Sequence, residues 1–267
     1  MKDDKQAEFE GVFKDNREKL AVLLDKNGSN RSVEFSEKLK SMPEDFGGPS
    51  IYFHEQAIIA AREKQFFVKD RKKFKEHLKM VYAVLPAWGM HRMGETDTKI
   101  IPYDQFCENI YNHIHNPDYN NLVCRYRSGE LTLVNAEADE VAGFILSLKV
   151  SASEARLVSS SKTLHHIFPD LIPPVDRAYT IRFMTQKTPF DKKNAVYNIN
   201  SKSEPWFAKT FLEQIQSFLN EDKQRKHTIK LLSKKGNGFN TSIPKVLDNL
   251  IIAFVKLHTK EKEKQKK

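Results

Sequence analysis

The chain has 267 residues, a net charge of +9 and an isoelectric point near 9.3. Hydrophobic residues make up 39% and charged residues 30%, which predicts a folded globular protein and excludes a disordered one. No run of about 18 apolar residues occurs, and the N-terminus lacks a signal-peptide core, so neither membrane insertion nor secretion is expected. Cys107 and Cys124 lack Cys-x-x-Cys spacing and predict reduced thiols in a cytoplasmic protein.

The basic charge balance favours a polyanionic partner, because lysines and arginines release counterions from nucleic acids and steer them into contact. Six lysines between residues 256 and 267 supply much of the excess charge. The charge therefore makes DNA a candidate partner, but a positive charge alone is not specific to DNA.

Apolar residues recur with the 3.6-residue period of helices along most of the chain. Asp70 precedes one such run as a cap, and Pro244 stands in the first turn of another. Strand patterns occur only at residues 131–134 and 195–199, too few for a large sheet. The expected helices cover residues 8–24, 49–61, 71–85, 103–114, 136–150, 162–168, 204–232 and 242–257.

These patterns predict an all-α protein of two packed helical lobes with a cleft, and at most a minor β-hairpin. We expect an N-terminal helix and loop over residues 1–48 and a helical lobe carrying the site over 49–188. A second helical lobe is expected over 189–258, followed by a basic tail over 259–267.

One stretch near the middle of the chain combines a lysine with a carboxylate. Lys162 stands at the expected start of a short helix, and Asp176 follows fourteen residues later. Helix N-termini bind anions. Ser159, Ser160 and Ser161 therefore predict either simple helix capping or contacts to DNA phosphates.

Asp176 follows two prolines and a valine. Each proline fixes its own φ and pushes the preceding residue towards an extended conformation, so the next carboxylate is placed accurately. Asp176 can then cap a helix expected over residues 177–184, or it can act as a reactive carboxylate at the mouth of a cleft.

The histidines occur in two close pairs, His113 with His115 and His165 with His166. On a helix the members of each pair point in different directions. We therefore predict packed or surface histidines and no metal site, and no motif for another cofactor is present.

The segment Pro-Val-Asp-Arg-Ala-Tyr that contains Asp176 resembles the helix-hairpin-helix family of DNA glycosylases. In that family a lysine opens the helix after the hairpin in members with lyase activity, and a catalytic aspartate follows. Lys162 and Asp176 match these positions in type and order. The family's Leu-Pro-Gly-x-Gly hairpin is replaced by residues 154–161, which contain no glycine, and the intervening helix is shorter by about one turn.

The resemblance implies cleavage of the N-glycosidic bond of a damaged or otherwise modified base that has left the DNA stack, in repair or in defence against foreign DNA. Asp176 would stabilise the cation-like transition state and orient a water molecule. Lys162 would be either a Schiff-base nucleophile or an electrostatic helper, and we favour the helper. The expected DNA contacts are then Ser159, Ser160, Ser161 and Arg177.

An irregular segment is expected where Pro86 and Gly89 interrupt the third helix. Such a segment, rich in stacking and hydrogen-bonding groups, is typical of a site lining, although a helix end with a buried tryptophan explains it equally well. The candidates for a base pocket or a wedge are Trp88, His91, Arg92 and Tyr179.

Three other functions fit the sequence: a non-enzymatic nucleic-acid-binding protein, a metal-dependent nuclease and a helical interaction protein. Asp118 and Glu130 loosely match a nuclease core, but Thr132 stands where a lysine is expected. Only the glycosylase hypothesis needs both Lys162 and Asp176, and no protein partner is implied.

Overall fold

The computed structural model describes residues 2–25, 35–37, 39, 49–90, 100–190, 199–234 and 239–259. Within these residues the secondary structure is helical, and β-type pairing is limited to two isolated bridges, Ile100 with Ser151 and Phe190 with Thr259. The all-α prediction is therefore confirmed. None of the helices described is long and apolar enough to cross a bilayer.

The helices vary widely in length. Short 3₁₀ turns cover Gln65–Phe67 and Pro117–Tyr119, and a π turn, Pro86–Met90, follows the third helix listed below. The α-helices are α1 (Lys2–Asp25), α2 (Pro49–Arg62), α3 (Arg71–Leu85), α4 (Tyr103–Ile114), α5 (Asn120–Ser128), α6 (Ala138–Ser147), α7 (Leu157–His165), α8 (Thr180–Thr185), α9 (Glu204–Asn220), α10 (Lys223–Lys234) and α11 (Ile243–His258).

Most of the expected helices are present, and their caps have physical causes. Asp70 caps α3 as predicted, because its Oδ1 accepts hydrogen bonds from the backbone N–H groups of Lys72 and Lys73 at 2.9 and 3.1 Å. Pro244 lies in the first turn of α11, where its missing N–H would have no partner within the helix. Within the N-terminal helix and loop expected over residues 1–48, residues 26–34 lie outside the described residues.

The single long helix predicted over residues 204–232 is wrong. The chain instead forms α9 and α10, separated at Glu221 and Asp222. Asp222 Oδ1 accepts from the N–H groups of Gln224 and Arg225 at 2.7 and 3.1 Å, so a new cap starts α10.

The predictions for two short segments are also wrong. Helix α5 was not predicted, although Gly129 ends it with a left-handed φ of 82° that favours glycine. Residues 131–134 enter a turn instead of a strand, and residues 195–198 lie outside the described part of the chain.

The chain divides into two compact units. Unit 1 comprises residues 1–45, 176–198 and 247–267, and unit 2 comprises residues 46–175 and 199–246. In unit 1, α1 packs against α8. The buried side-chain amide of Asn16 donates to the carbonyl oxygens of Phe183 and Gln186 at 2.7 and 2.8 Å, which satisfies the end of α8.

In unit 2, α6 packs against α9 and α2 packs against α3. Phe168, just after α7, is fully buried. Its ring makes edge contacts with Phe67, Tyr126 and Phe144 at centroid distances of 5.6, 4.9 and 5.2 Å. This aromatic core fixes the chain that follows α7.

Candidate functional site

Helices α6 and α7 pack against each other and are joined by residues 148–156, forming a helical hairpin in unit 2. Serine hydroxyl groups of α7 form hydrogen bonds with this connection. Ser160 Oγ donates to the Leu148 carbonyl at 2.7 Å, and Ser151 Oγ donates to Ser159 Oγ at 3.1 Å. The connection is thus fastened by side-chain hydrogen bonds rather than by a glycine turn.

The start of α7 is capped by a carboxylate from elsewhere in the chain. The N–H groups of Arg156 and Leu157 donate to the two carboxylate oxygens of the buried Glu204 at 2.8 and 3.0 Å. A negative charge at a helix N-terminus is stabilising. The amides of Arg156 and Leu157 are therefore already paired with Glu204 and are not available to a DNA phosphate.

Glu204→Gln is expected to lower the free energy of unfolding by about 1–3 kcal/mol, since the helix start loses its charge and one strong acceptor. Urea unfolding followed by tryptophan fluorescence measures the loss. Glu213→Gln, on the exposed face of the same helix, serves as the control and should change little. Equal losses in the two variants would show that the cap contributes nothing specific.

The three predicted phosphate-binding serines do not begin a helix. Helix α7 starts at Leu157, so Ser159, Ser160 and Ser161 lie inside it with buried side chains. Ser161 Oγ accepts from the Val175 N–H at 3.1 Å, which ties the double-proline segment to α7. Because they are buried, the serines hold the hairpin together and present no surface to a phosphate.

Lys162 also differs from its predicted position, because it lies in the last turn of α7, where the helix dipole favours a cation. Its side chain is only 5% exposed, and Nζ donates to the Trp88 carbonyl at 3.1 Å. Trp88 lies in the irregular segment that Pro86 and Gly89 predicted, with Gly89 at φ 81°. This segment therefore supplies an acceptor for a buried ammonium group.

A second buried lysine contacts the same tryptophan. Lys245, 3% exposed, places Nζ 4.9 Å from the ring centroid of Trp88 and 4.9 Å from that of Phe239. Cation–π attraction is strongest when the ammonium is removed from water. We call His54, Trp88, Lys162, His165, His166 and Lys245 the His–Lys cluster.

Hydrogen bonds in the His–Lys cluster fix the tautomers of two histidines. His166 Nδ1 lies 2.7 Å from the Lys162 carbonyl, which can only accept, so this nitrogen carries the proton. His166 Nε2 then accepts from His54 Nδ1 at 3.0 Å, and His54 Nε2 accepts from the Thr241 hydroxyl at 3.0 Å. The result is one directional chain of donors through neutral rings.

Burial keeps these imidazoles neutral. It is the largest cause that lowers the pKa of His54, His165 and His166, the last to about 3. The positive charge of Lys245 lowers each pKa further. The cluster therefore combines two buried lysines with histidines that do not carry a proton charge at neutral pH.

Nε2 of His165 is a hydrogen-bond acceptor to which no described residue donates. Its Nδ1–H donates to the Ile172 carbonyl at 2.8 Å, and its buried Nε2 has no hydrogen-bond partner among the described residues. The ring stacks with His54 at 5.8 Å and with Trp88 at 6.2 Å. No group of three His, Cys, Asp or Glu side chains within the described ranges is arranged to hold a metal ion.

Asp176 belongs to unit 1 and caps a turn. Its Oδ1 accepts from the Ala178 N–H at 2.7 Å, and its own N–H donates to Thr180 Oγ1 at 3.0 Å. The helix predicted from residue 177 starts only at Thr180. Arg177 is exposed and Tyr179 is half-buried directly before α8.

Several residues of the site have no local sequence signal. Glu204 lies about 48 positions from the amides that it caps, and His54 lies 112 positions from His166. Thr241 reaches the cluster from the residues just before α11, and Lys245 reaches it from the first turn of α11. Two predicted pocket residues, His91 and Arg92, lie outside the described residues.

Comparisons with protein-family models, curated proteins and solved structures find no match for this chain. Its function must therefore be inferred from its own residues.

Proposed function

We propose that the protein is a DNA glycosylase that cleaves the N-glycosidic bond of a flipped, modified or damaged base, with Asp176 as the catalytic carboxylate. The supporting observation is the order of parts along the chain. A helical hairpin, α6 and α7, is followed by a buried double-proline segment that leads directly to Asp176. The Ser161–Val175 hydrogen bond fixes the last residue before this carboxylate.

The chemistry suits a carboxylate held in this way. Cleavage of a glycosidic bond passes through a cation-like transition state, which a nearby negative charge stabilises. The same carboxylate can orient a water molecule and accept its proton. The hydrogen bond from the Ala178 N–H to Oδ1 restricts the rotation of the Asp176 side chain.

Lys162 is proposed to be an electrostatic helper and not the nucleophile. A Schiff-base lysine must be a neutral amine that is free to reach the sugar. Lys162 is buried, and its Nζ donates a hydrogen bond to the Trp88 carbonyl. This arrangement holds Nζ in place, away from a sugar, and favours water as the attacking group.

Borohydride is therefore expected to trap no covalent adduct between the wild-type protein and its DNA substrate. Lys162→Gln should lower base release by roughly tenfold, because a hydrogen bond from a charged group is lost, while DNA binding persists. Single-turnover assays and gel analysis after borohydride measure both effects. A trapped adduct that disappears in Lys162→Gln would instead make Lys162 the nucleophile.

Charge and cysteine chemistry support DNA as the partner and the cytoplasm as the compartment. The net charge of +9 favours a polyanion. Cys107 and Cys124 are free thiols, as expected in a reducing compartment.

The direct test is incubation with a panel of modified duplexes and phage DNAs, followed by alkali to cut at abasic sites. We expect alkali-dependent strand breaks that persist in EDTA. Breaks that need no alkali and stop in EDTA would identify a nuclease. Tight DNA binding without base release would identify a non-enzymatic DNA-binding protein.

A further inference from the structure

Helix α10 has one strongly cationic face. It carries four lysines and one arginine and no acidic residue. Its inner side buries Arg225 and Ile229, whereas Lys223, His227 and Lys230 are exposed. The exposed residues follow the spacing i, i+4, i+7, which places them on the same side of the helix.

The lysines of this helix are not neutralised within the described part of the chain. Among the described residues, no carboxylate lies within salt-bridge distance of Lys223, Lys226 or Lys230, whereas Arg225 does have such a partner. Lys226 Nζ donates a hydrogen bond to the neutral side-chain oxygen of Asn220 at 3.1 Å. We call Lys223, Lys226 and Lys230 the α10 face.

The two acidic residues that precede α10 are engaged elsewhere. Asp222 caps the helix through the N–H groups of Gln224 and Arg225. Glu221 accepts from Ser217 Oγ at 2.7 Å and pairs with the buried Arg225 at 3.8 Å.

Helix α3 shows that a basic sequence need not produce a cationic surface. It is also rich in lysine and arginine, but three of its cations have acidic partners at 2.6–2.7 Å. These pairs are Arg71 with Glu108, Lys75 with Asp104 and Lys79 with Glu76. Unlike these three cations of α3, the lysines of the α10 face keep charge that is available to an external anion.

We infer that the α10 face binds the phosphate backbone of duplex DNA. From Lys223 to Lys230 the helix rises about 10 Å, at 1.5 Å per residue. Duplex DNA carries one negative charge for about every 1.7 Å of its axis, counting both strands, so a cationic face about 10 Å long can contact several phosphates. The inference rests on DNA as the substrate.

Because hairpin amides are occupied by Glu204, phosphate contacts are expected from another part of the protein. Glu204 takes the N–H groups at the start of α7, so the hairpin does not offer them to DNA. Backbone contacts position a protein on a duplex without reading its sequence. The α10 face would supply this positioning.

An anionic membrane fits the α10 face less well than DNA does. Helices that lie on membranes insert a broad exposed apolar face beside their basic residues. On α10 Leu231 is the single large apolar side chain described as exposed, and Ile229 is buried. The charge is therefore present without the apolar surface that a lipid interface requires.

The test is the salt dependence of binding to an unmodified duplex, measured by fluorescence anisotropy on the full-length protein. In the triple variant Lys223→Gln, Lys226→Gln and Lys230→Gln, the slope of log K against log salt should fall by about 2.7, or about 0.9 per lost contact. The control carries Arg71→Gln, Lys75→Gln and Lys79→Gln, which changes the net charge equally on a paired surface. Its slope should change by less than half as much.

Equal slopes for the wild type and the α10 variant, or equal losses in both triple variants, would overturn the inference. So would binding to phosphatidylserine vesicles that depends on the α10 face while the DNA slope stays unchanged. Base release is assayed separately. If the salt slope depends on the α10 face but no base is released, the DNA-binding surface is upheld and the glycosylase function is rejected. If base is released but the slope is the same in the α10 variant, the glycosylase function is upheld and the DNA-binding surface is rejected.

Discussion

Asp176→Asn is expected to reduce base release at least about a hundredfold, equivalent to about 2.7 kcal/mol of transition-state stabilisation, with DNA binding unchanged. Asparagine keeps the size of the side chain, and its oxygen can still accept from the Ala178 N–H. What is lost is the negative charge beside a developing cation. Single-turnover rates and anisotropy titrations separate the chemical step from binding.

Asp118→Asn is the matched control for this variant. Asp118 is an exposed carboxylate in the Pro117–Tyr119 turn and is one of the two acids that a nuclease centre would use. Base release should stay near the wild-type rate in Asp118→Asn. Near-normal turnover in a folded Asp176→Asn protein would leave Asp176 as a cap of its turn and nothing more.

The fold was predictable where local periodicity decides structure. Helix α4 has the predicted bounds, and Asp70 caps α3 through a purely local contact. The start of α7 was missed, because its cap is Glu204, which is distant in sequence. The break before α10 did have a local signal, since Asp222 is a good N-cap inside a continuous apolar pattern.

The candidate site was predictable only in part, for a similar reason. The interruption at Pro86 and Gly89 depends on backbone preferences and was found. That its carbonyl would accept from Lys162 depends on packing between α3 and α7, which no motif encodes. The histidines were expected to be packed or at the surface, but the hydrogen-bonded chain through His166 depends on Thr241 and His54, which are distant in sequence.

Acid is expected to unfold unit 2 between pH 7 and about pH 5, because protonating its buried histidines is unfavourable in the folded unit. Burial lowers the pKa of His113 to about 4 and of His166 to about 3, and it lowers the pKa of His54 and His165 in the same direction. An unfolded histidine titrates near 6.5. The stability from each neutral ring is therefore complete above that pH and is lost as pH falls below it.

The size of this effect follows from proton linkage. Between pH 7 and 5.5, unfolding lets each of the four histidines take up most of a proton, which costs the folded state a little over 1 kcal/mol per ring, or roughly 5 kcal/mol for the four together. That sum approaches the whole stability of an ordinary domain. Carboxylates with a lowered pKa, such as Asp70 and Asp222, lose their contribution only at lower pH.

Urea titrations at a series of pH values measure the loss, and tryptophan fluorescence reports it, because both Trp88 and Trp206 belong to unit 2. His113→Phe keeps an aromatic ring against Phe144 and should reduce the pH-dependent loss by about a quarter. His115→Gln removes an exposed histidine and should leave the loss unchanged. If wild-type stability were the same at pH 7 and 5.5, the buried rings would be charging inside the folded unit. The directional chain from Thr241 through His54 to His166 could not then exist as described, because a charged ring has no acceptor nitrogen.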